Sequence, residues 1–344
     1  MLYKYKYNNN CIYVPIHMNL VFFRNVPGIK IPDKINIYEI CKNIDTFFIS
    51  YLVDNIMQMK YTYYLLDFSE INDADSRSFL PLKALLEKGF NIIIYNINEN
   101  LKSMIFDDDC VGLLDKDSIL DKILANNIGL QYFNSTLNNS GNLSLDIVKF
   151  KANTIAMYLK ESKDNGKEST DKDYYLTSSN VYVTKYIDIK KIFSDNEIFY
   201  LSIYEICRLI EKSLVQFDCL ICSSNNGAAL ATIIGQVLNI NVLYLLNLGP
   251  NLTIRDKELI NRISPRTKYF YIFDFICLGT EYKLLNTILK IKGAELSGAI
   301  GIAKYVDIDR DERNLASKID EKIFQIFRVN DESYDFGYEV KVGK

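Results

Sequence analysis

Two short stretches in the second half of this 344-residue chain carry the side chains and turns best suited to chemistry. In SSNNGAALATIIGQVL, residues 223–238, the polar residues Ser223, Ser224 and Asn225 and the small Gly227 stand in front of a helix rich in small residues. A turn of this kind presents backbone amides at the positive end of a helix dipole, which suits an anion. Plain turn-and-packing is the competing reading, because any doubly wound fold has small-residue turns. In KYFYIFDFICLGTEYKLLNTILKIKGAELSGAIGIA, residues 268–303, an apolar strand carrying Asp274 runs through Gly279, Thr280 and Glu281 into an amphipathic helix, a glycine turn at Gly293 and another strand. That order sets a ligand at the carboxyl end of a parallel sheet. A third stretch, SEINDADS, holds Asp75 and Ser76 before a helical pattern. A phosphate on Ser76 would meet free amides there, while the plain alternative is that Asp75 or Ser76 only caps the helix.

Other chemistries are narrowed by what the chain lacks. Its single histidine, His17, removes the usual triads and histidine-rich zinc sites. Of the seven cysteines, Cys219 and Cys222 form a CxxC, but FDCLICSS reads as a strand whose side chains alternate faces, so buried reduced thiols are expected and no metal or redox role. Forty basic and 43 acidic residues, well mixed to a net charge of -3, give no case for nucleic acid or for an anionic membrane surface. No apolar run is long enough to span a bilayer and the start MLYKYKYNNN has no apolar signal core, so a cytoplasmic protein is expected.

These residues must be positioned by alternating strands and helices. A chain with 49% hydrophobic and 24% charged residues is long enough for two domains with separate cores. The segment FNSTLNNSGNLS, rich in Asn, Ser and Gly, marks the boundary, giving residues 1–135, a linker at 136–144, and residues 145–344. In the first domain CIYVPI and NLVFF read as an opening pair of strands, and INIYEICKNIDTFFISYLVDNI as helical over several turns. TYYLLDF is a buried strand, RSFLPLKALLEKG a helix closed by Gly89, and FNIIIYNI a further buried strand, which implies a parallel sheet. In the second, LDIVKFKANTIAMYL is a helix, followed by a polar loop at 160–173, a Tyr- and Val-rich stretch with a turn at 178–180, the helix LSIYEICRLIEKSL and the strand FDCLICSS.

At Asp67, Asp75 and Ser76 the first domain resembles the STAS domain, in which a buried strand ends in an aspartate and a short turn delivers an Asp-Ser pair at a helix start. Ser78 departs from the family's frequent glycine. The resemblance implies a protein partner, and a serine at the position of Ser76 that a partner kinase phosphorylates.

The second domain resembles type I phosphoribosyltransferases of the orotate kind. The turn at residues 178–180 and the run Tyr186, Ile187, Asp188 match the family's entry, with its turn glycine missing. The resemblance assigns Ser223, Ser224, Asn225 and Gly227 to the pyrophosphate loop and Asp274, Gly279, Thr280 and Glu281 to the ribose and 5′-phosphate loop. Phe273 replaces the first of two adjacent acids, Cys277 and Leu278 replace two threonines, and Glu281 replaces the last hydroxyl. A carboxylate in the first turn of that helix would repel a phosphate a few ångströms away by about 1 to 4 kcal/mol. The family's Arg-Lys pair, which would neutralise the leaving pyrophosphate, is replaced by YLLNLG at 244–249, although Arg255 and Lys257 follow in the next loop.

Three functions stay open at this point. The first is a non-catalytic sensor or interaction protein, with a STAS-like domain fused to a phosphoribosyltransferase-like domain that binds a nucleotide-related ligand or a protein. The second is a working phosphoribosyltransferase that uses Mg²⁺, phosphoribosyl pyrophosphate and Asp274. The third is a purely structural support. The resemblance also implies a homodimer.

Overall fold

The structure, a computed structural model, describes residues 1–7, 9, 11–25, 35–75, 77–106, 130–133, 150–151, 153–155, 157, 175–176, 181–183, 189–245, 260–276, 279–305, 323–329 and 340–342. The chain is a mixed α/β protein that divides into two compact units, Met1–Leu145 and Asp146–Lys344.

In the first unit the strands β1 (Tyr5–Lys6), β2 (Cys11–Pro15), β4 (Tyr63–Asp67), β6 (Asn91–Tyr95) and β7 (Leu130–Phe133) lie in that order in one sheet. β1 is antiparallel to β2, and every other pair is parallel. Two short strands, β3 (Asn43–Ile44) and β5 (Asp73–Ala74), pair separately and in parallel. The strand β2 and most of β4 are buried, as the unbroken apolar runs predict for a sheet covered on both faces.

Two expectations for the amino-terminal half of this unit need correction. NLVFF is not a strand but part of helix α1 (Ile16–Arg24), and the strand that opens the sheet beside β2 is β1. Asn19 shows why: from inside the helix its amide donates to Pro15 O one turn back and to Tyr3 O, and its Oδ1 accepts from Tyr3 N at 2.7 Å, so one side chain ties helix to amino terminus. The long helical pattern at residues 35–56 is broken into α2 (Ile37–Ile40), β3 and α3 (Thr46–Met57). Asn36 and Asp45 each accept a backbone amide three residues on, so each starts a helix of its own where the apolar period alone suggested one.

In the second unit a parallel sheet runs β11 (Val242–Tyr244), β10 (Cys219–Cys222), β12 (Lys268–Ile276), β13 (Glu295–Tyr305), β14 (Ile323–Val329). The strands β8 (Tyr175–Leu176), β9 (Val181–Val183) and β15 (Val340–Val342) form a small antiparallel sheet. Among the described residues the helices include α6 (Lys190–Ser194), α7 (Asn196–Ser213), α8 (Asn225–Leu238) and α9 (Thr280–Ile291), after α4 (Leu82–Glu87) and α5 (Glu99–Phe106) of the first unit. Alternation along β12 divides its side chains between two faces. Tyr269, Tyr271 and Phe273 pack with Tyr282, Leu285 and Leu289 of α9, while α8 lies against the other face, where a Cβ on Gly227 would stand 2.9 Å from Ile272 O.

The strand order has a functional consequence. The chain steps outward from β10 to β11 and then returns to place β12 on the other side of β10. This reversal is a topological switch point at the carboxyl ends of β10 and β12, and open parallel sheets take their ligands in the crevice outside such a point.

Candidate functional site

The two loops selected by sequence meet at that crevice. Ser223 is the first residue after β10 and is buried; Ser224 is the N-cap of α8, and its Oγ accepts the Gly227 amide at 2.9 Å. The Gly227 amide, one of those expected to face an anion, is therefore engaged within the turn. Gly227 has no room for a side chain between Ile272 O and Ser224 Oγ, and this close approach lays the first turn of α8 on β12. Asn226 Nδ2 then donates to Asp274 Oδ2 at 2.8 Å, and Ser224 Oγ makes a longer contact of 3.4 Å with Oδ1. Asn225 is exposed beside them.

On the other side of the sheet edge, Gly279 precedes α9 with a φ of 68° and nothing within 4 Å of where a Cβ would be. Glycine is needed there for the left-handed backbone and not for space. No side chain caps α9 at Gly279, and Glu281 supplies a negative charge in its first turn. The Glu281 carboxylate is reached from two strands. Ser223 Oγ donates to Oε2 at 3.0 Å, and the Tyr271 hydroxyl lies 3.3 Å from Oε2 and 2.6 Å from Ser223 Oγ. Two hydroxyl protons serve three contacts, and the two shorter ones are both satisfied when Tyr271 donates to Ser223 and Ser223 to Glu281. Burial, and then the Glu281 and Asp274 charges, push the Tyr271 phenol above its ordinary value, so it stays protonated as a donor.

Asn226 and Tyr271 are the residues that sequence reading passed over. Tyr271 looked like one more large residue in a buried strand. The available signal is chemical: a tyrosine inside such a strand must bring its hydroxyl to a partner. Phe273 is buried in the apolar cluster with its ring against Gly301, where a Cβ would come within 2.3 Å of the ring and 2.2 Å of Phe273 O. A carboxylate at this position would be sunk among hydrocarbon. Arg255, Lys257, Cys277, Leu278, residues 178–180 and 186–188, and the linker at 136–144 lie outside the described residues.

In the first unit, Asp75 does not start a helix. Its amide donates to Ile44 O and its carbonyl accepts from Ser78 N, within a loop after β5, and α4 begins only at Leu82. The expected helix over RSFLPLKALLEKG is delayed by turns around Pro81, which confines it to its second half and leaves Asp75 outside its first turn. Ser76 lies outside the described residues. Ser78 is buried, and its Oγ donates to Ile44 O. Asp67, at the end of β4, is buried and accepts from the Tyr13 hydroxyl at 2.7 Å and from the amide and hydroxyl of Ser69. Cys219 and Cys222 lie on β10 as expected, and burial raises both thiols, Cys222 to about 12. Among the described residues no cluster of three acidic, histidine or cysteine side chains is arranged to hold a metal ion, and no helix is long and apolar enough to cross a membrane.

No family model matches the chain, and no curated protein matches it. Solved structures do. The chain is similar to adenine phosphoribosyltransferase from Thermoanaerobacter pseudethanolicus, with 16% identity and a TM-score of 0.37 over 52% of this chain and 99% of that one. It is also similar to orotate phosphoribosyltransferase from Aeropyrum pernix, with 14% identity and a TM-score of 0.37 over 51% and 93% of the two chains. A third is orotate phosphoribosyltransferase from Mycobacterium tuberculosis H37Rv, solved in complex with inorganic phosphate, with 11% identity and a TM-score of 0.33 over 52% and 95%.

Proposed function

We propose that the second unit is a phosphoribosyltransferase-like binding module that no longer transfers the phosphoribosyl group, and that the protein is a sensor or regulator, not a biosynthetic enzyme. The supporting observation is the bonding of Ser223 and Tyr271 to Glu281. In the loop arrangement that the sequence resembles, a phosphate would need the donors and the helix end that Glu281 has for itself. Asp274 remains as a partly exposed carboxylate held by Asn226, suited to accept from hydroxyl groups. Phe273, in the core, supplies no second carboxylate beside it.

On the motif of Asp67, Asp75 and Ser76 we assign the first unit to contact with a protein partner. The helix start that the STAS-like resemblance implied for Asp75 is absent, and α4 begins at Leu82.

Isothermal titration of the full chain with phosphoribosyl pyrophosphate and Mg²⁺, followed by common nucleotides and nucleobases, tests the reading. Absent or millimolar binding of the pyrophosphate is expected. Micromolar binding, with release of pyrophosphate on adding a base, would make the protein an active transferase and overturn the proposal.

A further inference from the structure

The amino end of the second unit's parallel sheet, opposite the crevice, gathers basic side chains from two neighbouring turns. One turn leads into β12 at Lys268, and the other leads from the end of α9 into β13 at Glu295. They are held side by side: Arg266 N donates to Gly293 O at 2.7 Å, Glu295 N to Thr267 O at 3.1 Å, and Lys292 Nζ to Asn261 Oδ1 at 3.0 Å. Arg262, Arg266, Lys268 and Lys290 are exposed, and Lys292 is half-buried. At the strand starts beside them stand two carboxylates, Asp218 and Glu295. Ion pairs among the described residues join other groups, Arg24 with Asp45, Lys42 with Glu39, and Glu205 with Lys151 and Arg208, and none of these five cations. In a chain with more acidic than basic residues, this end of the sheet thus holds an unpaired positive excess. The dipole of α9 gives Lys290 and Lys292 a structural reason, since both lie at its carboxyl end, but it gives none for Arg262, Arg266 and Lys268.

The surface is also fixed in shape. Ile263 is buried in the apolar cluster with Tyr269, and the Tyr269 hydroxyl accepts the Ser264 amide at 3.0 Å, so the turn that carries both arginines is pinned to the core. Between Lys290 and Lys292 in sequence, Ile291 is 78% exposed.

We propose that this end of the second unit docks an acidic segment of a partner protein, whose Asp and Glu side chains meet Arg262, Arg266 and Lys268 and one of whose apolar side chains covers Ile291. The inference goes beyond the reading of the crevice and does not rest on it. Guanidinium groups take carboxylates through paired hydrogen bonds, and an apolar contact rimmed by charge is the composition of a protein interface. A nucleic-acid backbone has no use for Ile291, and an anionic bilayer would be opposed by the chain's net charge of -3.

Fluorescence anisotropy of a labelled, capped peptide of Glu and Asp with a central Leu, titrated with the full chain at physiological salt, tests this. A single-stranded thymidine oligonucleotide and phosphatidylserine-containing vesicles serve as rival probes. Micromolar binding of the peptide is expected, weakened about tenfold or more by Arg262→Glu with Arg266→Glu and about threefold or more by Ile291→Ser. Lys60→Glu with Lys88→Glu, the same charge change on exposed lysines of the first unit, is expected to leave binding unchanged. All substituted residues are exposed, so folding is expected to survive, and the melting temperature of each variant checks it. No binding of the peptide below millimolar concentrations, equal weakening by the two double reversals, or tighter binding of the oligonucleotide or the vesicles than of the peptide would overturn the proposal.

Discussion

Ser223 Oγ lies 3.0 Å from Oε2 of Glu281, across 58 residues of sequence. The contact joins the loop after β10 to the first turn of α9, so the two loops that sequence reading assigned to binding different phosphates are bonded to each other. A charged group whose neutral donors are buried is costly to strip, because each lost donor leaves the carboxylate less compensated.

Ser223→Ala and Tyr271→Phe should therefore each destabilise the second unit by roughly 1.5 to 3 kcal/mol, the range for hydrogen bonds to charged groups. The double variant should cost less than the sum, because the two hydroxyls form one relay. Urea unfolding of the four proteins checks this. Strict additivity would mean that the hydroxyls serve Glu281 independently.

Restoring the missing first acid should fail structurally. Phe273→Asp places a carboxylate in the cluster of Tyr271, Tyr282 and Leu285 and removes the ring that Gly301 was kept small to accept. A loss of roughly 3 kcal/mol or more is expected from the buried charge and the cavity together. Gly301→Ala should also be poorly tolerated, since the added methyl meets the Phe273 carbonyl as well as its ring. Soluble yield and melting temperature report both. A Phe273→Asp protein as stable as the wild type would show that the site can hold a second acid.

The legible and the hidden parts of the site differ in a physical way. Asp274, Gly279 and Glu281 stood out because a charge or a glycine breaks an apolar run, and α8 and α9 followed from small-residue and amphipathic periods. Tyr271 did not stand out, because its ring obeys the strand pattern and only its hydroxyl leaves it. The crevice also required strand order, which is set by non-local pairing: nothing local says that β12 returns beside β10 and not beside β11. In the first unit, Asn19 and Asp45 decided between strand and helix, or between one helix and two, through single side-chain bonds that hydropathy does not register.

The one histidine gives the first unit a pH signature. His17 is buried, its Nε2 lies 2.9 Å from Tyr38 O and its ring meets Tyr38 edge-on. Burial, as the largest cause, lowers it from 6.5 to about 4. The folded state thus resists protonating a group that the unfolded chain protonates near 6.5. Its stabilisation is full above that pH and is lost as pH falls from about 6.5 through about 4, by up to roughly 3 kcal/mol. Urea midpoints at pH 7.5 and 4.5, compared with those of His17→Phe, isolate this from the carboxylates. Equal pH dependence in the two proteins would contradict it.

The measurement that bears most directly on the account is titration of phosphoribosyl pyrophosphate with Mg²⁺ into wild type and Glu281→Thr side by side, the substitution that returns a hydroxyl to the family's position. The account predicts no binding below millimolar concentrations for the wild type and a gain of about tenfold or more for the variant, as removal of a nearby like charge would give. Micromolar binding by the wild type, unchanged or weakened in the variant, would show that Glu281 does not stand in the phosphate's place.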